Sequence, residues 1–230
     1  MAQSFTDFRA LPVGDFVSSD FVNASGTGII IEDNSYSEGN ALVCGGSTWS
    51  GVAQVGLLHQ AEVEFSVVCA STVFGQAQRA IVVYSATADG YLTGSSDYIG
   101  VRWFSGLVLA QGAFSGSVDA GNAADGDILT LRVTPLTSGD VRAACLINGV
   151  EQFADDILLL DVPAPDGDGN YYTSFTNRNG KNNSGIYSYG IGTDGDAAPT
   201  SPVVVGPVTP INPSVTNLLA TSARLNWEQG

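Results

Sequence analysis

Apolar residues recur at every second position through most of this chain, in runs cut by Gly, Ser, Asn or Asp about every ten residues. A period of two puts successive side chains on opposite faces of an extended strand. In Ala61 to Cys69, Ala61, Val63, Phe65, Val67 and Cys69 share one face, and Glu62, Glu64 and Ser66 share the other. That is the pattern of a half-buried antiparallel strand. Ile81-Val82-Val83-Tyr84 is apolar on both faces and suits the middle of a sandwich. Tyr98 to Phe104 and Leu107 to Gln111 read as two strands joined at Ser105-Gly106. Asp127 to Thr134 and Val141 to Ile147 alternate again. Asn148-Gly149 then leads into Val150 to Phe153, and Asn-Gly accepts the positive φ angles of a type I′ hairpin. Tyr171 to Thr176 and Ile186 to Ile191 supply the last strands. No window carries apolar residues at helical spacing. The expected fold is all-β, a two-sheet antiparallel jelly-roll sandwich of roughly a dozen short strands.

Charge removes several function classes. Eight Lys and Arg stand against 23 Asp and Glu, a formal net charge of −15. Such a chain lacks the cations to neutralise a phosphate backbone, so nucleic-acid binding is disfavoured. Anionic membrane surfaces are disfavoured for the same reason. No apolar run approaches the roughly 20 residues of a membrane helix. The hydrophobic share of 44% is ample for a core and argues against disorder. The start, MAQSFTDFRALPVGDF, has neither a basic nor an apolar leader region, so if the protein works outside a cell it is expected to leave by another route, such as lysis. Cys44, Cys69 and Cys145 are odd in number, lack CxxC spacing and lie in apolar stretches, which reads as three buried thiols.

Composition changes near residue 197. Five of the nine prolines fall between Ala197 and Pro213. Proline fixes φ and donates no backbone hydrogen bond, so residues 197–212 read as an extended linker. The expected organisation is a jelly roll over residues 1–196, this linker, and a separate segment over 213–230.

Two resemblances follow from the order of these segments. Phe5-Thr-Asp-Phe8, Gly14-Asp-Phe16, Gly28-Ile-Ile-Ile31 and Gly39-Asn-Ala-Leu42 resemble the N-terminal strands of concanavalin A-like lectin/glucanase (laminin-G-like) jelly rolls. Asp127 to Val133, Val141 to Leu146 and Ile147-Asn148-Gly149 resemble that family's recurrent strand pair and hairpin. Gly185 to Gly192 sits where such domains place a final strand beside the first. Pro213 to Trp227 resembles the opening of a fibronectin type III module, with its core Trp.

The lectin/glucanase resemblance raises both catalysis and sugar binding. Retaining glycosidases need two carboxylates about 5 Å apart. Glu62 and Glu64, at i and i+2, lie about 6–7 Å apart at Cα. The family's catalytic strand resembles Glu-x-Asp-x-x-Glu, which this chain lacks, so the two glutamates read as solvated face residues. His59 has no GxSxG or similar nucleophile to serve. The expected protein is not an enzyme. Asp166-Gly-Asp168-Gly-Asn170 offers three oxygen donors at alternate positions, as a Ca²⁺ loop does. Asn177 stands at the twelfth position where an EF-hand has Glu, and the same residues also suit a plain turn. Asp125-Gly-Asp127 and Asp194-Gly-Asp196 repeat the pattern, with Asp127 read as the start of a strand.

Sugar binding would use aromatic rings flanked by amides. Candidates are Trp49, Trp103, Tyr171, Tyr172, Tyr187 and Tyr189, with Asn177 opening a polar loop that runs to Asn183. Trp103, Tyr187 and Tyr189 are read alternatively as sheet-core residues. The favoured set is Trp103, Tyr171, Tyr172 and Asn177 for carbohydrate, and Asp166, Asp168 and Asn170 for metal. The leading functional expectation is a non-enzymatic virion protein of a tailed bacteriophage, a head decoration, head fibre or tail-associated adhesion protein. Its partners would be other virion proteins, further copies of itself and a host surface glycan. The alternative is a carbohydrate-binding module of a bacterial extracellular protein.

Overall fold

The computed structural model describes residues 3–17, 21–25, 29–32, 38–44, 50–58, 63–71, 78–85, 98–103, 107–111, 113–114, 124–158, 170–178, 184–201, 214–219 and 222–226. Among them every regular element is a strand. These are β1 (Gln3–Asp7), β2 (Gly14–Asp15), β3 (Phe21–Ser25), β4 (Ile29–Glu32), β5 (Ala41–Cys44) and β6 (Ser50–Leu58). Next come β7 (Val63–Ser71), β8 (Gln78–Ser85), β9 (Ile99–Trp103), β10 (Leu107–Gln111), β11 (Ala113–Phe114) and β12 (Ile128–Pro135). The last are β13 (Val141–Ile147), β14 (Val150–Ile157), β15 (Asn170–Arg178), β16 (Ser184–Thr193), β17 (Ser214–Leu219) and β18 (Ser222–Asn226).

Two antiparallel sheets form the jelly-roll sandwich. The first runs β14-β13-β12-β7-β16-β5-β4-β2, with β1 also on β16. The second runs β11-β10-β9-β8-β15-β6-β3. Alternation explains the first. Leu129, Leu131 and Val133 are fully buried and stand opposite Val67, Phe65 and Val63 of β7. On their other side stand Ile147, Cys145 and Ala143 of β13. The intervening Arg132 stands opposite Glu64. β16 is the centre of the molecule: β7 covers one edge, while β1 and β5 share the other. The first strand therefore lies beside the last strand of the sandwich. In the second sheet β8, apolar on both faces in sequence, is interior, between β9 and β15. β17 and β18 form a two-stranded sheet of their own.

The hairpin at Asn148-Gly149 has φ values of 50° and 78° at those residues, as a type I′ turn needs. Ile147 and Val150 flank it in register. Asn148 also fixes the turn to the start of β12. Its side-chain oxygen accepts from the Ile128 N–H at 2.9 Å, and its amide donates to Asp127 at 2.8 Å. Four strands are longer than the sequence predicts: β8 and β16 extend at both ends beyond Ile81–Tyr84 and Ile186–Ile191, and β14 and β15 also run on. β14 continues past Phe153 to Ile157, because the register shifts between Cys145 and Leu146 and interrupts the period of two. β15 begins at Asn170 and extends to Arg178. Asn177 and Arg178 are thus not the opening of a loop: Asn177 is paired with Ser50 on one side and Arg79 on the other.

After β16, Asp194 and Gly195 reverse the chain with φ values of 59° and 83°. The Asp196 N–H closes this turn on the Thr193 carbonyl at 3.1 Å. Residues 196–199 then lie flat on the outer face of β16, where Gly190 and Gly192 leave room. A Cβ at Gly192 would stand 2.0 Å from the Asp196 carbonyl oxygen. One at Gly190 would stand 1.9 Å from that of Pro199. The Gln3 side chain donates to the Ala197 carbonyl at 2.8 Å and ties this return segment to β1.

Candidate functional site

The topology splits the sugar-binding candidates into two groups. Trp103, the last residue of β9, stands opposite Arg79 of β8. Asn177 stands opposite the same Arg79 from the β15 side. Trp103, Arg79 and Asn177 therefore occupy one row across three adjacent strands, about 10 Å from end to end. Two residues further from the sheet end, Val101, Ile81 and Phe175 form the next row in the same register phase. Val101 and Phe175 are buried there. By backbone register the candidate row lies one pleat nearer the end of the sheet than Val101 and Phe175. Tyr171 and Tyr172 belong elsewhere. Tyr171 pairs with Leu57 and Tyr172, half-buried, with Ser85, about 20 Å along β15 from Asn177. Arg79 escaped the sequence reading, since nothing in its own segment links it to Trp103 or Asn177.

Two aromatic candidates are core residues. Tyr187 and Tyr189 are completely buried. The Tyr189 hydroxyl donates to Thr173 Oγ1 at 2.8 Å. That of Tyr187 donates to the Asp125 carboxylate at 3.0 Å and accepts from the Glu38 N–H at 3.3 Å. Neither ring presents a face to a sugar. Trp49 lies outside the described residues.

The acidic candidates are distributed as follows. Glu64 stands opposite Arg132, a cross-strand ion-pair position. Glu62 and His59 lie outside the described residues. Asp127 accepts from the Ala124 N–H as well as from Asn148, so it starts its strand as a structural cap. Asn170 opens β15 opposite Leu58, while Asp166 and Asp168 lie outside the described residues. Among the described residues no three His, Cys, Asp or Glu side chains converge as metal ligands would. Of the cysteines, Cys145 is a buried thiol that forms no disulfide, and the side chains of Cys44 and Cys69 lie outside the described residues.

One ionic cluster is well defined. Arg9 grips Asp7 with two bonds of 2.8 and 2.9 Å and reaches Glu38 at 2.9 Å. Burial alone would raise the Asp7 pKa. The side-chain and backbone hydrogen bonds and the charge of Arg9 outweigh it and hold the carboxyl below its ordinary value. The same hydrogen bond to Asp7 raises the Arg9 pKa. This is a structural clamp between β1 and the segment before β5.

No family model matches the chain, and no curated protein matches it. Solved structures do. The potassium-bound form of the Emp46p carbohydrate recognition domain superposes with a TM-score of 0.51 at 11% identity. The match covers 84% of this chain and 100% of that one. A point mutant of the same domain gives 0.50 at 10% identity, over 82% and 97%. A prokaryotic β-1,3-1,4-glucanase (lichenase) derived from a mouse hindgut metagenome gives 0.44 at 14% identity, over 83% and 98%. At such identities the similarity is one of fold: an antiparallel two-sheet jelly roll like that of the carbohydrate recognition domain.

Proposed function

We propose that this chain is a non-catalytic carbohydrate-binding module. The observation that carries the reading is the row Trp103-Arg79-Asn177, set in a jelly roll similar to that of a carbohydrate recognition domain. An indole stacks on the apolar face of a pyranose, and an amide and a guanidinium hydrogen-bond hydroxyls at its edge. Two observations support the absence of catalysis. The family's acidic catalytic strand pattern is missing from the sequence, and Glu64 stands opposite a cation.

The test is glycan-array binding by the full chain, followed by titration of the best ligand against Trp103→Ala and Tyr171→Ala. The Trp103 change should abolish binding and the Tyr171 change should leave it intact. The reverse order would place the site at the other end of β15. Turnover of a bound glucan would overturn the non-catalytic reading.

Display on a tailed-phage particle is a second reading. It is favoured by the order of a jelly roll, a proline-rich stretch and a separate β17–β18 hairpin, the last resembling the start of a fibronectin type III module. In that reading residues 197–212 link two units, and the chain co-purifies with particles at fixed stoichiometry, in several copies. The comparisons support the sugar-binding reading more directly.

A further inference from the structure

We propose that Asn148 is a modification site, a side-chain amide open to spontaneous deamidation, and that its hydrogen bonds to the start of β12 hold the reaction closed while the fold is intact. In an Asn-Gly pair the following residue has no Cβ to shield its backbone nitrogen. The Gly149 nitrogen attacks Asn148 Cγ, and the new N–C bond closes a five-membered succinimide. The Cγ–Nδ2 bond breaks, and Nδ2 leaves as ammonia, carrying the proton that Gly149 gives up. Water then opens the ring. Attack at Cγ restores the main chain and leaves an aspartate. Attack at the Asn148 backbone carbonyl leaves an isoaspartate, whose main chain runs through the former side chain. Water is the only co-reactant, and Asn148 and Gly149 are both exposed to it. The turn is open on its outer side, where a Cβ at Gly149 would meet nothing within 4 Å.

Ring closure needs Cγ beside the Gly149 nitrogen, and the structure turns the amide the other way. The Asn148 N–H donates to the Ile128 carbonyl at 2.8 Å, and Asn148 Oδ1 accepts from the Ile128 N–H at 2.9 Å. Backbone and side chain of Asn148 thus add one rung to the β12–β13 ladder, past the pair Leu129–Ile147. Asn148 Nδ2 donates to Asp127 Oδ1 at 2.8 Å, a charge-assisted bond. An N–H requires an acceptor and a carboxylate a donor, so these two partners fix which way the amide faces. Succinimide formation must break both side-chain bonds and rotate the peptide between Asn148 and Gly149 out of its type I′ turn. It therefore proceeds only from a locally opened hairpin.

The product cannot restore these contacts. A carboxylate at position 148 faces the Asp127 carboxylate where an amide donated before, and like charges at that distance repel. Isoaspartate also lengthens the turn by one main-chain carbon, so Ile147 and Val150 lose their register. The disturbance has a route inward. Asp127 accepts from the Ala124 N–H, and its own N–H donates to the Ala124 carbonyl at 3.0 Å, which closes the turn before β12. Within that turn Asp125 accepts from the buried Tyr187 hydroxyl at 3.0 Å. Loss of one exposed amide therefore loosens the start of β12 and the anchor of a core tyrosine. Folding guards the site, and each opening of the hairpin carries a chance of a change that keeps it open.

The experiment is incubation of the full chain in mildly alkaline buffer, folded and in guanidinium chloride, with deamidation at Asn148 followed by tandem mass spectrometry of tryptic peptides. The second Asn-Gly pair, Asn179-Gly180, lies outside the described residues and falls on a different tryptic peptide. Folded wild type should react at Asn148 about thirtyfold or more slower than the unfolded chain, the scale of one charge-assisted and one neutral hydrogen bond. Asp127→Ala should speed the folded reaction about tenfold or more, the share of the charge-assisted bond. Asp127→Asn, which keeps an acceptor for the amide, should react more slowly than Asp127→Ala. Asn148→Asp, which carries the product's charge, should speed amide exchange in residues 124–128. Circular dichroism checks the folding of each variant. If Asp127→Ala does not fold, the folded-to-unfolded ratio of wild type and the Asp127→Asn rate decide. Equal rates in folded and unfolded wild type overturn the gating. An Asp127→Ala rate equal to that of wild type overturns Asp127 as the gate, and unchanged exchange in Asn148→Asp overturns the route inward. No conversion at Asn148 in the unfolded chain overturns the site itself.

Discussion

The Tyr189 hydroxyl donates to Thr173 Oγ1 at 2.8 Å, a fully buried hydrogen bond that joins the two sheets through the core. Tyr189 belongs to β16 at the centre of one sheet, and Thr173 to β15 at the centre of the other. Removing one member strands the other away from water, and a buried unsatisfied hydroxyl costs about 1–3 kcal/mol. Tyr189→Phe should lower the urea midpoint accordingly. Tyr189→Phe combined with Thr173→Val should cost less than the sum of the single changes. Additive losses would show that the two hydroxyls act independently.

The Arg9 clamp predicts an acid-sensitive contribution to stability. The folded pKa of Asp7 lies below the ordinary 3.8. The group therefore stabilises the fold above that value and loses its contribution as pH falls through its lower folded value. Asp7→Asn should cost about 0.5–1 kcal/mol at neutral pH, the scale of a partly exposed ion pair. Wild type and variant should converge in denaturant midpoint below pH 3.8. A gap that stays unchanged well below that pH would remove the Arg9–Asp7 pair as its source.

Gly190 and Gly192 should resist any larger residue. An added methyl collides with the backbone of Pro199 and Asp196, and overpacking of this kind costs about 1–3 kcal/mol. Gly190→Ala and Gly192→Ala should each lower the melting temperature and speed amide exchange in residues 196–199. Unchanged exchange there would mean that β16 shifts instead of the return segment.

That Asp166, Asp168 and Asn170 hold calcium is a proposal made from their spacing in the sequence, and melting tests it. A ligand that binds only the folded state raises the melting temperature with its concentration. The full chain should melt higher in calcium than in chelator, and Asp168→Asn should abolish the difference. Identical melting curves for wild type would assign this segment to ordinary turn chemistry.

Legibility from sequence followed the range of the interaction. The Asn148-Gly149 hairpin was readable because its chemistry sits in two adjacent residues that need positive φ. The buried faces of β12 and β13 were readable from their period of two. The full length of β14 was hidden by its register shift, and that of β15 by Asn177 and Arg178, residues that look loop-like in isolation. Trp103 and Asn177 were candidates on chemistry alone. Their common neighbour Arg79, distant from both in sequence, emerges only from strand order. Tyr187 and Tyr189 carried the same ambiguity in the other direction: a ring with a hydroxyl suits a sugar site or a core, and burial decided for the core.

The return segment over Gly190 and Gly192 also bears on how this fold can change through descent. Two glycines in β16 and the backbone of residues 196–199 occupy a single layer of space. Neither can be altered alone. A lineage that gains a side chain at either glycine must reroute the stretch leaving the sandwich, and one that reroutes the stretch frees both glycines to vary. Among relatives, glycine at 190 and 192 would mark chains whose exit path follows this one, whatever sugar or partner they have come to serve.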